Sequence, residues 1–225
     1  VFRDETGAEA SMTRAELLGQ VSRWQQAMKA CGVGEGDRVA GYMPNMMETI
    51  IATLAATSLG AIWSSASPDF GVQGVLDRFG QIEPKLLVTV DGYHYNGKVI
   101  DVLEKVKQIT PQISGLQKTI IVPFAGSQTE ISEIKNSITA EEFIAPYQST
   151  DISYNRVTFN HPLFIMFSSG TTGVPKCIVH GHGGTLLQHL KEHQLQCNIK
   201  PQENVFYFTT CGWMMWNWLI SGLAS

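Results

Sequence analysis

Short apolar runs alternate with amphipathic segments along the first half of the chain. The apolar runs, at 38–43, 61–64, 86–90 and 119–122, have the length and composition of buried strands. The segments between them place apolar residues three or four positions apart, which is the period of a helix with one buried face. Strands that alternate with helices predict an α/β fold, in which layers of parallel β-sheet are covered by helices on both faces.

Two of the predicted helices have recognisable ends. The first follows Thr13, which has capping-box spacing with Glu16, and it stops at Gly32. Its predicted inner face consists of Leu17, Val21, Trp24, Met28 and Cys31. Asn45 is predicted to cap the second helix and Gly60 to end it. The apolar stripe predicted for that second helix consists of Met47, Ile50, Ile51 and Leu54.

Further elements are predicted along the rest of the chain. One helix follows Pro68, and its inward positions are Val72, Val75, Leu76 and Phe79. Another is marked by Val99, Val102, Leu103, Val106 and Ile109. The stretch 125–160 is polar and predicts a surface excursion with a weak helical patch near 141–144. The apolar run at 163–167 then predicts a strand that leads into a segment rich in Gly, Ser and Thr.

That segment, at 168–176, reads S-S-G-T-T-G-V-P-K. Its glycines permit unusual backbone angles and close approach of a ligand, while its hydroxyls and lysine supply donors and a positive charge. Successive backbone N–H groups can form a concave site for phosphate oxygens, and a hydroxyl can reach a phosphate-bound Mg²⁺. A Walker loop is excluded, because Val174 and Pro175 separate Gly173 from Lys176. From composition alone, a surface loop without a ligand is the competing interpretation.

The positions 168–176 match the phosphate-loop signature (S/T)-(S/T)-G-(S/T)-T-G-x-P-K, and the chain therefore resembles the adenylate-forming superfamily. Acyl-CoA synthetases, luciferases and adenylation domains of nonribosomal peptide synthesis belong to it. The resemblance implies the large amino-terminal domain of the adenylate-forming fold. It also implies that this loop holds the β- and γ-phosphates of ATP while a carboxylate attacks the α-phosphorus. The implied phosphate-binding residues are Ser168, Ser169, Gly170, Thr171, Thr172, Gly173 and Lys176.

Segments on either side of the motif indicate which branch of the superfamily the chain resembles. Those similar to short-chain acyl-CoA synthetases lie at 36–40, 44–48 and 58–62. Those similar to the acetoacetate-activating branch lie at 67–71, 76–79, 82–85 and 212–218. The implied activity is that of an ATP-dependent acid–CoA ligase, which converts acetoacetate, ATP and CoA to acetoacetyl-CoA, AMP and pyrophosphate with the help of Mg²⁺.

The segment that matches the family's acyl pocket begins at Gly212. The resemblance implies that Trp213, Met214 and Met215 bind the acyl chain, and aromatic and Met side chains do shape small apolar pockets well. The alternative is that these side chains are plain core residues of a helix. Relatives often carry Ala-Asp at 210–211, where this chain has Thr-Cys, so the role of those two positions stays open.

A further match concerns CoA. In acetyl-CoA synthetase relatives, a loop near the position of 70–71 contacts CoA, and a basic R-G-G-(K/R) segment contacts its phosphates. The matching stretch here ends in Gly97 and Lys98, whereas Tyr95 replaces the Arg. Gly97 and Lys98 are therefore the implied CoA contacts. The alternative is that Lys98 merely opens an exposed helix.

Composition and charge restrict the class of partner. Hydrophobic residues make up 44% and charged residues 16% of the chain, which is typical of a compact globular interior. A net charge of −4 supplies no basic field for nucleic acid or an anionic membrane, so small-molecule substrates are predicted instead. The four cysteines are scattered and are predicted to be buried free thiols. No signal peptide or membrane-length apolar run is visible, and we expect a cytosolic protein.

The two ends of the chain suggest cuts through a longer protein. It starts at Val1 rather than Met, and it stops at Ser225 within an apolar stretch. Residues 1–225 are therefore expected to form one partial AMP-binding domain, without the carboxy-terminal domain. The resemblance implies that the lysine needed for adenylation lies beyond Ser225, so no catalytic residue is expected within this chain.

Such a chain should be inactive alone. The alternative is a truncated isoform that binds a nucleotide or a partner without chemistry. The sequence predicts no particular protein partner.

Two other classes fit less well. The run H-G-H-G-G at 180–184 is similar to an oxyanion-hole loop of α/β-hydrolases, but no G-x-S-x-G nucleophile motif occurs in the sequence. His180 and His182 lack a third convergent ligand in the sequence, and they therefore do not predict a metal site. We expect both to follow the phosphate loop and to open the next helix.

Overall fold

The computed structural model describes residues 1–127, 130–168 and 173–225. Its strands, in chain order, are β1 (Phe2–Arg3), β2 (Glu9–Ala10), β3 (Arg38–Tyr42), β4 (Ile62–Ala66), β5 (Leu86–Val90), β6 (Gly92–Tyr95), β7 (Lys98–Asp101), β8 (Lys118–Val122), β9 (Ser137–Thr139), β10 (Pro162–Ser168) and β11 (Lys176–Gly181). Its α-helices are α1 (Arg14–Ala30), α2 (Met47–Ser58), α3 (Val72–Ile82), α4 (Leu103–Ile109), α5 (Ala140–Ile144), α6 (His182–Lys191) and α7 (Met214–Ser221). A π-helical turn, Glu192–Gln196, extends α6.

Within the described residues, seven strands form the main sheet in the order β11-β10-β4-β3-β5-β8-β9. All neighbouring pairs are parallel except β10 and β11. Connections that leave β3 and β4 in opposite directions along the sheet place α2 and α3 on opposite faces, because such crossovers are right-handed. Helix α1 packs with α2, and α4 packs with α3. The α/β fold with helices on both faces is therefore confirmed.

The antiparallel strand β11 departs from the predicted all-parallel sheet. Only positions 169–175 separate β10 from β11. A parallel return needs a crossover of roughly a dozen or more residues, so a connection this short can only form an antiparallel neighbour. The prediction that His180 opens a helix is consequently wrong, since it lies in β11, whereas His182 does begin α6.

The core surrounds the central strands and confirms most of the predicted inner faces. In α1, Val21, Trp24 and Met28 are buried, and in α3 Val75 and Phe79 are buried. The largest fully buried side chains are Trp24, Trp63, Trp216, Tyr42, Phe79, Met28, Met43, Leu86, Leu87, Leu103, Ile109 and Ile120. Thr13 and Glu16 form the predicted capping box at the start of α1.

Helix α2 differs from its prediction in both cap and buried face. The N-cap position is Met46, without a side-chain cap, and Asn45 instead accepts a hydrogen bond from Trp216 Nε1 at 2.9 Å. The buried residues are mostly small: Thr49, Ile51, Ala52, Thr53, Ala55 and Ala56. Small side chains allow α2 to pack closely. The Thr49 hydroxyl donates to the carbonyl of Pro44 before the helix and the Thr53 hydroxyl to that of Thr49, so their burial leaves no unpaired group.

The segment before α4 forms a hairpin rather than a helix. Strands β6 and β7 pair antiparallel, with Asn96 and Gly97 at the turn and φ values of 52° and 71°. Asn-Gly is the residue pair favoured where both central turn residues need positive φ. The helix begins only at Leu103, so Lys98 does not open a helix.

The polar stretch at 125–160 contributes more to the fold than predicted. Strand β9 extends the sheet by pairing in parallel with β8, for example Ile120↔Ile138. The predicted helical patch is confirmed as α5, which begins with a capping box between Thr139 and Glu142. Its Phe143 is buried, and its ring centre lies 5.5 Å from that of Trp24.

The cysteines are all free, but their predicted burial is only partly confirmed. Cys211 is buried and Cys31 half-buried, whereas Cys177 and Cys197 are exposed. Cys177 is exposed because β11 is an edge strand with little packed over it. Among the helices of the described residues, none combines the length and apolar character needed to cross a membrane.

Candidate functional site

Sites in open α/β sheets lie at the carboxyl ends of the strands, where the connections diverge. Here β4 lies on one side of β3 and β5 on the other, so this point falls near the carboxyl ends of β3 and β4. The phosphate motif starts at the carboxyl end of β10, the next strand beyond β4. The fold therefore brings the motif to the edge at which ligands bind.

The structure describes the two ends of the phosphate motif. Ser168 ends β10 and lies opposite Lys176, the first residue of β11. Gly173 has φ +97°, a left-handed conformation that a side chain would strain. Ser168 is half-buried, and Lys176 is exposed and so free to reach toward a ligand. The predicted phosphate-binding residues Ser169, Gly170, Thr171 and Thr172 lie outside the described residues.

Gln81 of α3 fixes the return side of the motif, and it was not among the predicted site residues. Its Nε2 donates to the carbonyl of Pro175 at 2.8 Å, and its Oε1 accepts from Cys177 Sγ at 3.6 Å. These contacts hold both neighbours of Lys176. No local signal marks Gln81, because its partners lie more than ninety positions away along the chain.

Tyr42 and Lys105 hold the loop between β4 and α3 through hydrogen bonds to its backbone carbonyls. The Tyr42 hydroxyl lies 3.0 Å from the carbonyl oxygen of Pro68 and 2.5 Å from that of Phe70. Lys105 Nζ donates to the Pro68 carbonyl at 2.5 Å. Burial raises the pKa of Tyr42, with a further contribution from nearby Tyr93, so the phenol stays a neutral donor. Burial lowers the pKa of Lys105.

The segment matched to the acyl pocket lies beside the end of β4. Ser65 Oγ donates to the Cys211 carbonyl at 2.7 Å, and a Cβ on Gly212 would lie 3.4 Å from the backbone nitrogen of Ser67. Asn217 Nδ2 lies 3.1 Å from Met166 Sδ of β10. The segment is thereby attached to β4 and to β10, the strand that leads into the phosphate motif.

The first two predicted acyl-pocket residues are not buried among the residues of this chain. Trp213 is 65% exposed and Met214 is 43% exposed, while Met215 is half-buried. The core position in this helix belongs to Trp216, which is fully buried. Trp213 and Met214 are thus available at the carboxyl edge of the sheet.

The last residue of the chain is attached to the turn that follows α6. Ser225 is half-buried, and its Oγ lies 2.7 Å from Nδ1 of His193. The other ring nitrogen of His193, Nε2, lies 3.0 Å from the carbonyl of Trp218. The adenylation lysine was predicted beyond Ser225, so its position is not part of this structure and stays a prediction.

The predicted CoA contacts lie on the β6–β7 hairpin, which projects beyond the end of β5. The backbone N–H groups of Asn96 and Gly97 donate to the carboxylate of Glu5 at 2.8 and 2.7 Å. Lys98 is exposed. Across the described residues, no hydrogen bond or ion pair joins this hairpin to the phosphate motif.

The turn at 124–127 resembles a phosphate site, but a carboxylate of the chain already occupies it. Asp91, which is 7% exposed, accepts hydrogen bonds from the consecutive backbone N–H groups of residues 124–127, at 2.7, 2.9, 2.8 and 3.3 Å. Because the carboxylate satisfies all four donors, the loop is a structural joint after β8.

Histidines near the motif are packed rather than arranged as a metal site. The rings of His161 and His182 have centres 5.5 Å apart, and His161 Nε2 lies 2.8 Å from the carbonyl of Gly60. Burial lowers the pKa of His182, and the neighbouring His161 lowers it further. In the part of the chain that the structure describes, no three His, Cys, Asp or Glu side chains are grouped so that they could hold a metal.

An apolar cavity lies away from the residues predicted to bind substrates. It has a volume of about 710 Å³ and is mostly apolar, between α1, α2, α6 and the segment at 154–159. Its walls include Leu17, Leu54, Phe159, Phe164 and Leu186. None of the described residues predicted to bind ATP, CoA or the acyl group lines it.

The chain matches a family model and curated proteins along nearly all of its length. The family described as AMP-binding enzyme matches residues 1–224. The acetoacetyl-coenzyme A synthetase of Rhizobium meliloti is 56% identical over 225 residues, which are 100% of this chain and 34% of that protein. The acetoacetyl-CoA synthetase of Mus musculus is 49% identical over 230 residues, covering 100% of this chain and 34% of that protein.

A solved structure shares the fold. The acetoacetyl-CoA synthetase from Streptomyces lividans matches with a TM-score of 0.89 and 42% identity, over 95% of this chain and 32% of that one. The chain thus spans about a third of the length of the relatives it matches. With a family match along nearly all of its residues and a phosphate motif at the expected edge of the sheet, the chain belongs to the AMP-binding enzyme family.

Proposed function

We propose that the intact protein is an ATP-dependent acid–CoA ligase that activates acetoacetate. The observation that carries the proposal is the placement of the phosphate motif and the 212–215 segment at one edge of the sheet, joined through β4 and β10. The names of the curated relatives support acetoacetate as the acid. The 225 residues would form part of the large amino-terminal domain of that enzyme.

The reaction would proceed in two balanced steps. An oxygen of the acetoacetate carboxylate attacks the α-phosphorus of ATP, and the bond to pyrophosphate breaks, which gives an acyl-adenylate. The CoA thiol then loses its proton and attacks the acyl carbon, and AMP leaves. In the first step little covalent chemistry falls to the protein, so positioning and charge supply the catalysis.

The residues of this chain are proposed to bind substrates rather than to carry out the chemical steps. Ser168, Gly173 and Lys176 would hold the β- and γ-phosphates together with the hydroxyls and N–H groups of 169–172. Lys176 is suited to this because it is exposed while its neighbours are held by Gln81. A charged donor to a phosphate oxygen forms a stronger hydrogen bond than a neutral one.

Trp213, Met214 and Met215 would contact the acyl chain. Their position beside β4 supports this role, since a short acid bound there would lie next to the phosphate motif. Gly97 and Lys98 would contact the CoA phosphates. In that case the Gly97 N–H group would have to exchange its present carboxylate partner for the ligand.

Mg²⁺ would reach the site with the triphosphate as its counter-ion. The described residues contain no cluster of three carboxylate, thiol or imidazole ligands. The hydroxyls of the phosphate motif are therefore the proposed protein contacts for the ion, and no step is assigned to it. We further propose a cytosolic location and small-molecule partners only, which the free cysteines and the net charge of −4 support.

Pyrophosphate exchange tests the proposal in the intact protein. Acetoacetate should support incorporation of labelled pyrophosphate into ATP, and a Lys176→Ala variant should lose most of it. A Lys29→Ala variant is the matched control, because Lys29 is exposed in the last turn of α1, away from the carboxyl edge. Absence of exchange with every short acid tested would refute the proposed activity.

The chain of 225 residues on its own provides a second arm of this test. It spans about a third of its relatives' length, so we expect no measurable exchange from it. Full activity of the isolated chain would contradict the proposed placement of the adenylation lysine beyond Ser225. Nucleotide binding without exchange by the intact protein would favour the non-catalytic alternative.

A further inference from the structure

Arg78 of α3 is a half-buried cation without an ion-pair partner in the part of the chain that the structure describes. Its Nη1 donates to the carbonyl of Gly74 at 2.7 Å, which uses one of five N–H donors. Asp77 is adjacent in sequence, but its Oδ1 accepts from Gln73 Nε2 at 2.6 Å. Burial lowers the pKa of Arg78, partly opposed by the charge of Asp77.

A cation that is partly removed from water and left without an anion is costly unless something else compensates. Packing supplies part of the compensation here. The guanidinium carbon lies 4.5 Å from the ring centre of Phe70 and 5.9 Å from that of Phe167. An aromatic face attracts the cation while leaving the N–H donors at the edge of the guanidinium free.

The position of Arg78 relates it to the phosphate motif. Phe167 directly precedes Ser168, so the guanidinium lies beside the strand that leads into the motif. Gln81, one turn further along the same helix, holds the return side of the motif through Pro175. Helix α3 therefore presents polar side chains toward both ends of this loop.

We propose that Arg78 is a second cation of the phosphate site, whose N–H groups without a partner among the described residues bind an oxygen of the β- or γ-phosphate when a nucleoside triphosphate occupies the loop. The proposal rests on the proposed function, because it assumes that ATP binds there. A planar guanidinium matches the geometry of phosphate oxygens. With a net charge of −4, the chain offers no general attraction for a triphosphate, and local cations must provide it.

Equilibrium binding to the intact protein tests the proposal with three probes: the non-cleavable analogue α,β-methylene ATP, AMP and inorganic pyrophosphate. In an Arg78→Gln variant, the dissociation constants for the analogue and for pyrophosphate should rise by about 10- to 100-fold, as expected for one charged hydrogen bond. AMP lacks the β- and γ-phosphates, and its dissociation constant should change less than about twofold.

Two further variants separate binding from structure. Arg78→Lys keeps the charge and should keep part of the affinity for pyrophosphate. It is compared with the wild-type protein directly if Arg78→Gln folds poorly. Arg156→Gln is the matched control, because Arg156 is exposed outside the site and should leave all three affinities unchanged. A weaker dependence of analogue binding on salt in Arg78→Gln would accompany the loss of one phosphate contact.

Three results would overturn the proposal. Unchanged affinity for the analogue and for pyrophosphate would show that Arg78 contacts no phosphate. An equal loss for AMP and the analogue would indicate that Arg78 only supports the loop structurally. A selective loss of acetoacetate binding would assign it to the acid instead. Failure of the wild-type protein to bind the analogue would refute the proposed function itself, and this is measured first.

Discussion

Replacing Gly41 with Ala should destabilise the centre of the sheet. Gly41 lies on β3, paired with Ser65 of β4 and Val88 of β5. A Cβ at this position would lie 2.5 Å from Cζ2 and 2.8 Å from Cη2 of Trp63. Carbon atoms make favourable contact at roughly 3.5–4.0 Å, so the added methyl group overlaps the indole by about 1 Å.

The indole has little room to move away. Trp63 is 1% exposed and lies in the main core, where packing density resembles that of an organic crystal. Overpacking of this kind costs about 1–3 kcal/mol of the free energy of unfolding. For a domain of roughly this size, each kcal/mol lowers the melting temperature by about 2–4 °C. The expected loss in melting temperature is therefore about 2–12 °C.

Thermal unfolding followed by tryptophan fluorescence measures the effect in the intact protein. Gly80→Ala is the matched control, because no atom lies within 4 Å of its added Cβ and it sits within helix α3. That variant should gain about 0.5–1 kcal/mol from the lower helix propensity of glycine. The packing explanation fails if Gly41→Ala melts at the wild-type temperature or if both variants shift in the same direction.

Three further changes test other contacts. Gln81→Ala removes the bond to Pro175 and should weaken binding of α,β-methylene ATP about 3- to 10-fold, measured by calorimetry; an unchanged affinity contradicts the role of Gln81. Lys105→Met leaves the Pro68 carbonyl with one donor fewer and should lower the free energy of unfolding by about 1–2 kcal/mol in urea, whereas no change would show the contact to be neutral. Burial and two neighbouring histidines lower the pKa of His189 to about 4, so the unfolded chain, with a pKa of about 6.5, binds the proton first. Stability should therefore be full above about pH 6.5 and fall between about pH 6.5 and 4, by up to roughly 3 kcal/mol, and His189→Gln should flatten this dependence of the melting temperature.

The strands at the centre of the sheet could be predicted because burial on both faces leaves an uninterrupted apolar run. Leu86–Val90 is such a run, and all of its residues are buried. Strand β11 escaped prediction for the opposite reason, since most of its side chains are exposed and no periodic pattern marks it. Its existence follows from the short connection after β10 rather than from its own composition.

Helix α2 shows the limit of hydrophobic periodicity. The larger apolar residues predicted a stripe through Ile50 and Leu54, but both are only half-buried. The buried face consists largely of Ala and Thr. Their small size permits close packing, and the Thr hydroxyls donate to backbone carbonyls in the helix or just before it. A scale that ranks residues by apolar size assigns such a face to solvent.

The candidate site could be located but not completed from sequence. The motif at 168–176 predicts a phosphate loop because its chemistry is local and contiguous, and its described ends lie at the carboxyl edge of the sheet. Gln81 and Arg78 were not predicted to belong to the site, since each acts on a segment about ninety positions away and resembles any polar residue of an exposed helix face. Contacts of this kind become visible only when the sheet brings α3 beside the end of β10.

The carboxylate of Asp91 already occupies the anion-binding position in the turn after β8. This turn offers four clustered backbone N–H donors to a negative charge, and the chain itself supplies that charge. A free phosphate would have to displace the Asp91 carboxylate, which the chain holds beside the donors at very high effective concentration. A phosphate-bearing ligand is thereby disfavoured in this turn, so an acidic side chain outside the candidate site restricts where such a ligand could bind.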